Sequence, residues 1–230
     1  GFGKSGKACF NFLKKKNNKK IFDDKATLAN NKFKKFYISK KKIIETNFDY
    51  IIISPGINIK KCSLNTYLYK NQNKIINELD IFYLKNKKNL KITITGTNGK
   101  STTAKLIYEV LKKHGKDARL VGNIGNPLLN EKKINLDTIF VIEASSYQIE
   151  YSKFFQTKFA IILNISPDHL ERHETMKKYV KAKFKIIKRQ SKDDFALIQN
   201  KNKYLENEIH KNKDKSKIIR VKLNYNKLSK

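Results

Sequence analysis

The chain has 230 residues, enough for one large or two modest domains, and its 39% hydrophobic content is sufficient for a buried core. No run approaches the roughly 20 apolar residues that a membrane span needs. The 51 Lys+Arg against 20 Asp+Glu give a formal net charge of +31, which would suit a nucleic-acid partner. The lysines, however, are scattered with asparagine and isoleucine along the whole chain, as in Lys14-Lys15-Lys16-Asn17-Asn18-Lys19-Lys20. Such uniform bias reads as codon drift in an AT-rich genome, so a basic nucleic-acid-binding module is the minority reading. Cys9 and Cys62 are too few for a disulfide framework and show no zinc spacing, and no signal peptide opens the chain; a cytoplasmic monomer is expected.

In chain order, Gly1-Phe2-Gly3-Lys4-Ser5-Gly6 is a G-x-G-x-x-G turn, which normally follows a buried strand, so the chain is expected to begin one strand late. A helical stretch to about Leu13 and a short strand at 20–22 lead to Asp23 and Asp24. An acid there is where a Rossmann-like unit meets a ribose or base. The competing reading makes Asp23 or Asp24 the N-cap of a helix starting near Ala26. A second strand is expected at 50–53, and the polar segment 86–89 divides the chain into units 1–89 and 90–230.

The second unit opens with a buried strand at 91–95, followed by Thr95-Gly96-Thr97-Asn98-Gly99-Lys100-Ser101-Thr102. A helix then carries Ala104, Ile107, Tyr108 and Leu111 at i, i+3, i+4 and i+7, with Gly115 as its stop. Glycines between a strand and a helix N-terminus let backbone N–H groups face phosphate oxygens. Lys100 would neutralise the outer phosphates and the Ser101 hydroxyl would ligate Mg²⁺. The loop is two residues shorter than the general Walker pattern. Further strands are expected at 139–143 and 160–164, delivering Glu143 and His169 to the same sheet edge.

On a helix over 176–188, Met176, Tyr179, Val180, Phe184 and Ile187 form one apolar arc, and Lys183 alone among the lysines falls inside it. The plain reading is a snorkelling side chain; the functional one is a desolvated amine able to react with CO₂ and become an anionic metal ligand. After a strand at 194–199, the sequence is expected to dissolve into polar Lys/Asn-rich segments, leaving the fold incomplete.

Together, G-F-G-K-S-G, I-I-I-S-P-G-I, I-T-G-T-N-G-K-S-T, G-N-I-G, V-I-E-A-S-S-Y-Q-I-E, I-L-N-I-S-P-D-H-L-E-R-H and K-Y-V-K-A-K-F-K-I resemble the Mur ligases, and among them the branch that adds D-glutamate. The resemblance implies an α/β architecture, with an N-terminal Rossmann-like domain (1–89) followed by a P-loop NTPase-like central domain (90–230), truncated at both ends. It implies ATP-dependent addition of D-glutamate to UDP-N-acetylmuramoyl-L-alanine through an acyl phosphate, in peptidoglycan synthesis. Gly96, Thr97, Asn98, Gly99, Lys100, Ser101 and Thr102 would bind ATP. Ser101 and Glu143 would hold one Mg²⁺; His169 and carbamylated Lys183 would hold a second. Lys100, His169 and Lys183 would be catalytic. Ser5, Asp24, Lys25, the Ser54-Pro55-Gly56 turn, Asn123 and Ser145 would contact the UDP-substrate. The family's C-terminal domain is expected beyond this chain, which by itself should ligate poorly. Sister ligases and folylpolyglutamate synthase share the phosphate loop; E-A-S-S-Y-Q and S-P-D-H-L-E-R-H favour the D-glutamate branch.

Overall fold

The computed structural model describes residues 1–14, 18–24, 31–200, 202–211 and 216–222. In chain order the regular elements are α1 (Lys4–Phe12), α2 (Lys40–Glu45), β1 (Ile51–Ile52), α3 (Asn65–Lys70), β2 (Ile75–Ile76), α4 (Glu78–Lys85), β3 (Lys91–Thr95), α5 (Lys100–Lys113), β4 (Ala118–Gly122), β5 (Ile139–Glu143), α6 (Ser146–Glu150), β6 (Phe159–Ile162), α7 (Leu170–His173), α8 (Met176–Lys188), β7 (Phe195–Gln199), α9 (Lys203–Lys211) and β8 (Lys217–Val221). No helix among the described residues is long and apolar enough to cross a membrane.

Six strands form one parallel sheet in the order β4-β5-β3-β6-β7-β8. The alternation along each strand decides which layer it feeds. Ile94 and Val141 turn towards α5 and pack with Ala104, Ile107, Tyr108 and Leu111. Phe140, Ile142, Ala160 and Ile162 turn the other way, onto Leu79 and Phe82 of α4 and onto Tyr179, Val180, Phe184 and Ile187 of α8. From β3 the chain moves through α5 towards β4; from β5 it crosses the opposite face to β6, so the winding reverses beside β3. Open parallel sheets collect ligands at the carboxyl ends of strands flanking such a reversal.

Near the N-terminus β1 and β2 form a two-stranded parallel sheet with Ile51 opposite Ile75. It is covered by Ile43, Ile53, Ile59, Leu64 and Leu68. The strand expected at 20–22 is reduced to a single bridge between Ile21 and Tyr37, too short a run to build a ladder. The segment at 86–89 is no free linker: Asn86 and Asn89 are buried, and Asn89 Nδ2 donates to the carbonyls of Asn135 (2.7 Å) and Thr138 (3.1 Å). Ala8 and Cys9 of α1 share a core with Phe82, Phe140 and Phe155 across that boundary. The expected polar tail is also corrected. Leu205 and Ile209 bury one face of α9, and β8 pairs with β7 along Phe195 to Gln199 as a sixth strand. Its pattern was masked by Lys217 and Arg220 at exposed positions, where charged side chains are tolerated on an edge strand.

Candidate phosphate and metal site

The loop between β3 and α5 sits at the reversal, flanked by the end of β5 on one side and the end of β6 on the other. Gly99 caps α5 at φ 80°, a left-handed conformation that glycine adopts without a Cβ penalty. The first turn of the 14-residue α5 leaves its N–H groups without helical partners, at the positive end of the helix dipole. Asn98, Gly99, Ser101 and Thr102 are exposed there.

Two lysine side chains converge on one carbonyl. Lys100 Nζ donates to Gly96 O (3.0 Å) and Thr97 O (2.8 Å), and Lys183 Nζ donates to the same Gly96 O (2.7 Å). Lys183 is 1% exposed, as its place in the apolar arc of α8 required. Burial, reinforced by the Lys100 charge and partly offset by Asp168, lowers its pKa from 10.5 to about 7. Its ammonium also lies 4.7 Å from the Tyr179 ring. Two amines thus crowd on a single acceptor, and burial disfavours the charge on Lys183.

Glu143, 1% exposed, ends β5 with one carboxylate oxygen accepting from Ser101 Oγ (2.7 Å) and the other from Asn123 Nδ2 (2.8 Å). The G-N-I-G segment makes this possible. Gly122 (φ 111°) lies so close to β5 that a Cβ would stand 2.2 Å from Glu143 O, and the Asn123 N–H bonds that same carbonyl at 2.9 Å. Ser101, Glu143 and Asn123 thus form one hard-oxygen and amide constellation beside the loop, a donor set suited to Mg²⁺.

His169, after β6, is in the left-handed region (φ 52°) with its side chain 44% exposed. Its Nε2 lies 3.4 Å from Asp168 Oδ2, its Nδ1 3.7 Å from Glu171 Oε1, and its ring 5.0 Å from the Tyr147 ring. No group of three or more His, Cys, Asp or Glu side chains among the described residues is arranged to hold a metal by itself. An ion beside Glu143 and Ser101 would need phosphate and water oxygens to complete its shell.

Residues 94–229, more than half of the chain, match the model of the Mur ligase middle domain. The chain belongs to the Mur ligase family. It is 40% identical over 211 residues to the UDP-N-acetylmuramoylalanine--D-glutamate ligase of Rickettsia bellii, covering 89% of this chain and 46% of that protein. It is 39% identical over 201 residues to the enzyme of the same name from Caldicellulosiruptor bescii, covering 81% and 43%. The chain therefore spans about half the length of these relatives. Among solved structures, the UDP-N-acetylmuramate:L-alanyl-gamma-D-glutamyl-meso-diaminopimelate ligase from Neisseria meningitides aligns with a TM-score of 0.52 at 13% identity. That alignment covers 88% of this chain and 68% of the other, and it establishes the shared fold.

Of the residues that the Mur ligase resemblance assigned to the UDP-substrate, Asp24 and Ser54 lie about the Gly1 turn, and Asn123 lies beside Glu143. Asp24 accepts from Ser63 Oγ, and its neighbour Asp23 accepts from the Phe2 N–H at 2.6 Å, fastening the glycine turn. Asp23 and Asp24 line a cavity of about 140 Å³ together with Gly1, Ser63 and Tyr67. Ser54 Oγ donates to Gly1 O at 2.8 Å, and the Ser54-Pro55-Gly56 turn closes through Ile57 N to Ser54 O at 3.0 Å. Ser5 lies near buried Glu78, whose pKa is raised by burial and held back by Ser5 and by the Leu128 and Leu129 amides. Ser145 is the N-cap of α6, in a reciprocal capping box with Gln148. Lys25, and the alternative helix start near Ala26, lie outside the described residues.

Several site residues were not singled out in the sequence. Tyr179, read there only as part of an apolar arc, brings its OH to 3.2 Å from Thr97 Oγ1. His173, 3% exposed, has Nε2 2.9 Å from Ser146 Oγ, and burial lowers its pKa to about 4. Arg172 donates to Glu150 (2.9 and 3.0 Å) and to Ile57 O (2.7 Å), tying α7 to the Ser54-Pro55-Gly56 turn. The D-H-L-E-R-H run was the only available signal for Arg172 and His173, and it does not disclose which partners they reach.

Proposed function

We propose that this chain is the UDP-substrate- and ATP-binding part of a ligase that adds D-glutamate to UDP-N-acetylmuramoyl-L-alanine. In this reading residues 1–89 form a Rossmann-like substrate unit and residues 90–230 the ATP-binding unit. The observation that carries it is the meeting of Lys100, Lys183, Ser101 and Glu143 around one glycine loop at the sheet reversal.

A carboxylate has no usable leaving group, so amide formation requires that the alanine carboxylate first take the γ-phosphoryl group of ATP, releasing ADP. The amine of D-glutamate then attacks the acyl carbon, and phosphate departs from the tetrahedral adduct with the bonding electrons. Lys100, released from the Gly96 and Thr97 carbonyls, follows the transferring phosphoryl charge, and the α5 N-terminus supports the phosphates from below. Ser101 and Glu143 fit one Mg²⁺, which when bound disperses negative charge on phosphate oxygens. His169 fits a second ion only if Lys183 contributes an anion. A pKa near 7 leaves much of the Lys183 amine neutral at neutral pH, able to take up CO₂ as a carbamate with loss of a proton. A carbamate would replace the Lys100–Lys183 repulsion with attraction.

Titration calorimetry tests this reading. The chain should bind Mg-ATP, with Lys100→Ala weakening it at least about tenfold, a loss of a charge-assisted phosphate contact. Binding of duplex DNA that survives Lys100→Ala and is unaffected by ATP, with no Mg-ATP binding, would instead support the basic-module reading.

A further inference from the structure

Phosphate loops are read from sequence as continuous rows of N–H donors, yet here the first two donors are already committed. The Thr97 N–H is bonded to Asn164 O (3.0 Å), and the Asn98 N–H to the Asn164 side-chain Oδ1 (2.9 Å). Asn164 Nδ2 returns a bond to Asn98 O (3.0 Å), so one amide side chain saturates both backbone polar groups of Asn98. The contact continues the β3–β6 ladder past its end, since Leu163 N bonds Thr95 O (3.0 Å) just before it. Two residues further on, Ser166 N and O both engage Thr97 Oγ1 (3.1 and 3.2 Å).

We propose that Asn164 is a positioning residue that clasps the rising limb of the phosphate loop, so that a nucleotide's phosphates are met only by the amides of Gly99, Lys100, Ser101 and Thr102. This rests on the ATP-binding reading above and narrows it: Thr97 and Asn98 shape the loop but give their N–H groups to Asn164. The physical logic is preorganisation. Asn98 is exposed and is followed by Gly99, so without the clasp the peptide planes about it would be free to rotate. With it, the loop is held in the form that opens the α5 N-terminus towards the ligand. An asparagine side chain suits this task because it presents one acceptor and one donor in a plane, matching a backbone N–H and C=O pair.

Amide hydrogen exchange of the whole chain, read by NMR without and with Mg-ATP, tests this together with nucleotide titration. In the wild type, Thr97 and Asn98 should be protected already, and Mg-ATP should add protection at Gly99, Lys100, Ser101 and Thr102 while leaving Thr97 and Asn98 unchanged. In Asn164→Ala, the Asn98 amide should exchange about tenfold faster and Mg-ATP should bind about tenfold more weakly, the effect of losing one such bond. UDP-N-acetylmuramoyl-L-alanine affinity and the melting transition should stay near wild type. Asn164→Asp keeps the acceptor but sets an oxygen against Asn98 O. Its Asn98 amide should remain protected while Mg-ATP binding weakens. New protection of Thr97 and Asn98 by Mg-ATP in the wild type, or wild-type Asn98 exchange in Asn164→Ala, would overturn the proposal. A wild type that binds no Mg-ATP while Asn164→Ala still frees Asn98 would sink the nucleotide reading and leave the clasp standing.

Discussion

Replacing Lys183 by methionine should stabilise the protein while removing a group essential to the proposed chemistry. In the unfolded chain this amine titrates near 10.5, and in the folded chain near 7, chiefly because burial disfavours the ammonium. Above the unfolded value neither state carries the proton. As pH falls from there towards 7, the unfolded chain takes up the proton and the folded chain does not, so stability falls across that window; below about 7 the full cost is present. At ~1.4 kcal/mol per pH unit this cost is roughly 5 kcal/mol. The bond from Lys183 Nζ to Gly96 O returns about 1 kcal/mol of it. Methionine, similar in length and apolar, should therefore gain on the order of 4 kcal/mol near pH 6, with the gain shrinking towards pH 9. Urea unfolding of both proteins at several pH values in CO₂-free buffer measures this directly. Identical pH slopes, or a methionine variant less stable than wild type near pH 6, would refute the desolvated-amine reasoning. The same variant should abolish ligation in a full-length enzyme.

Further expectations concern other parts of the site. With ¹³C-bicarbonate, wild type should show a carbamate carbon resonance near neutral pH that is absent from Lys183→Met. Glu143→Gln should weaken ATP binding about tenfold or more in Mg²⁺ but leave Mg²⁺-free ADP binding nearly unchanged, since the carboxylate acts through the ion; an equal loss in both conditions would count against that role. Asp80 is fully buried and accepts from Ser152 Oγ (2.8 Å) and from the amides of Lys153, Phe154 and Phe155 (2.9, 2.7 and 3.1 Å). Asp80→Ala strands these donors and should cost roughly 4 kcal/mol in urea unfolding. His173, with its pKa depressed to about 4, contributes stability that is complete above its unfolded value of 6.5 and is lost as pH falls through about 4. His173→Gln should flatten that acid limb, and an unchanged limb would exclude the buried-imidazole explanation.

Much of the molecule was legible in the sequence because periodicity and burial coincide. The spans of β3, β5 and α8 follow from continuous apolar runs and from one apolar arc, and they are found where expected. Elements with weaker patterns escaped notice. β2 is only Ile75–Ile76, β4 carries Arg119 in a five-residue run, and β8 places Lys217 and Arg220 on exposed positions. In each case the strand is defined by pairing with a neighbour, which a local pattern does not encode.

The sequence by itself determined the glycine loop between strand and helix, the strand that ends in Glu143 and the singular position of Lys183 on its helix, because these depend on spacing within one element. Only the tertiary structure decided that Lys100 and Lys183 share the Gly96 carbonyl, that Glu143 spans Ser101 and Asn123, and that Asn164 holds Asn98. Those contacts join residues 20 to 87 positions apart, Lys100 to Gly96 excepted. They exist because the parallel sheet brings the ends of β3, β5 and β6 side by side, and strand order is a property of the packed whole rather than of any local run.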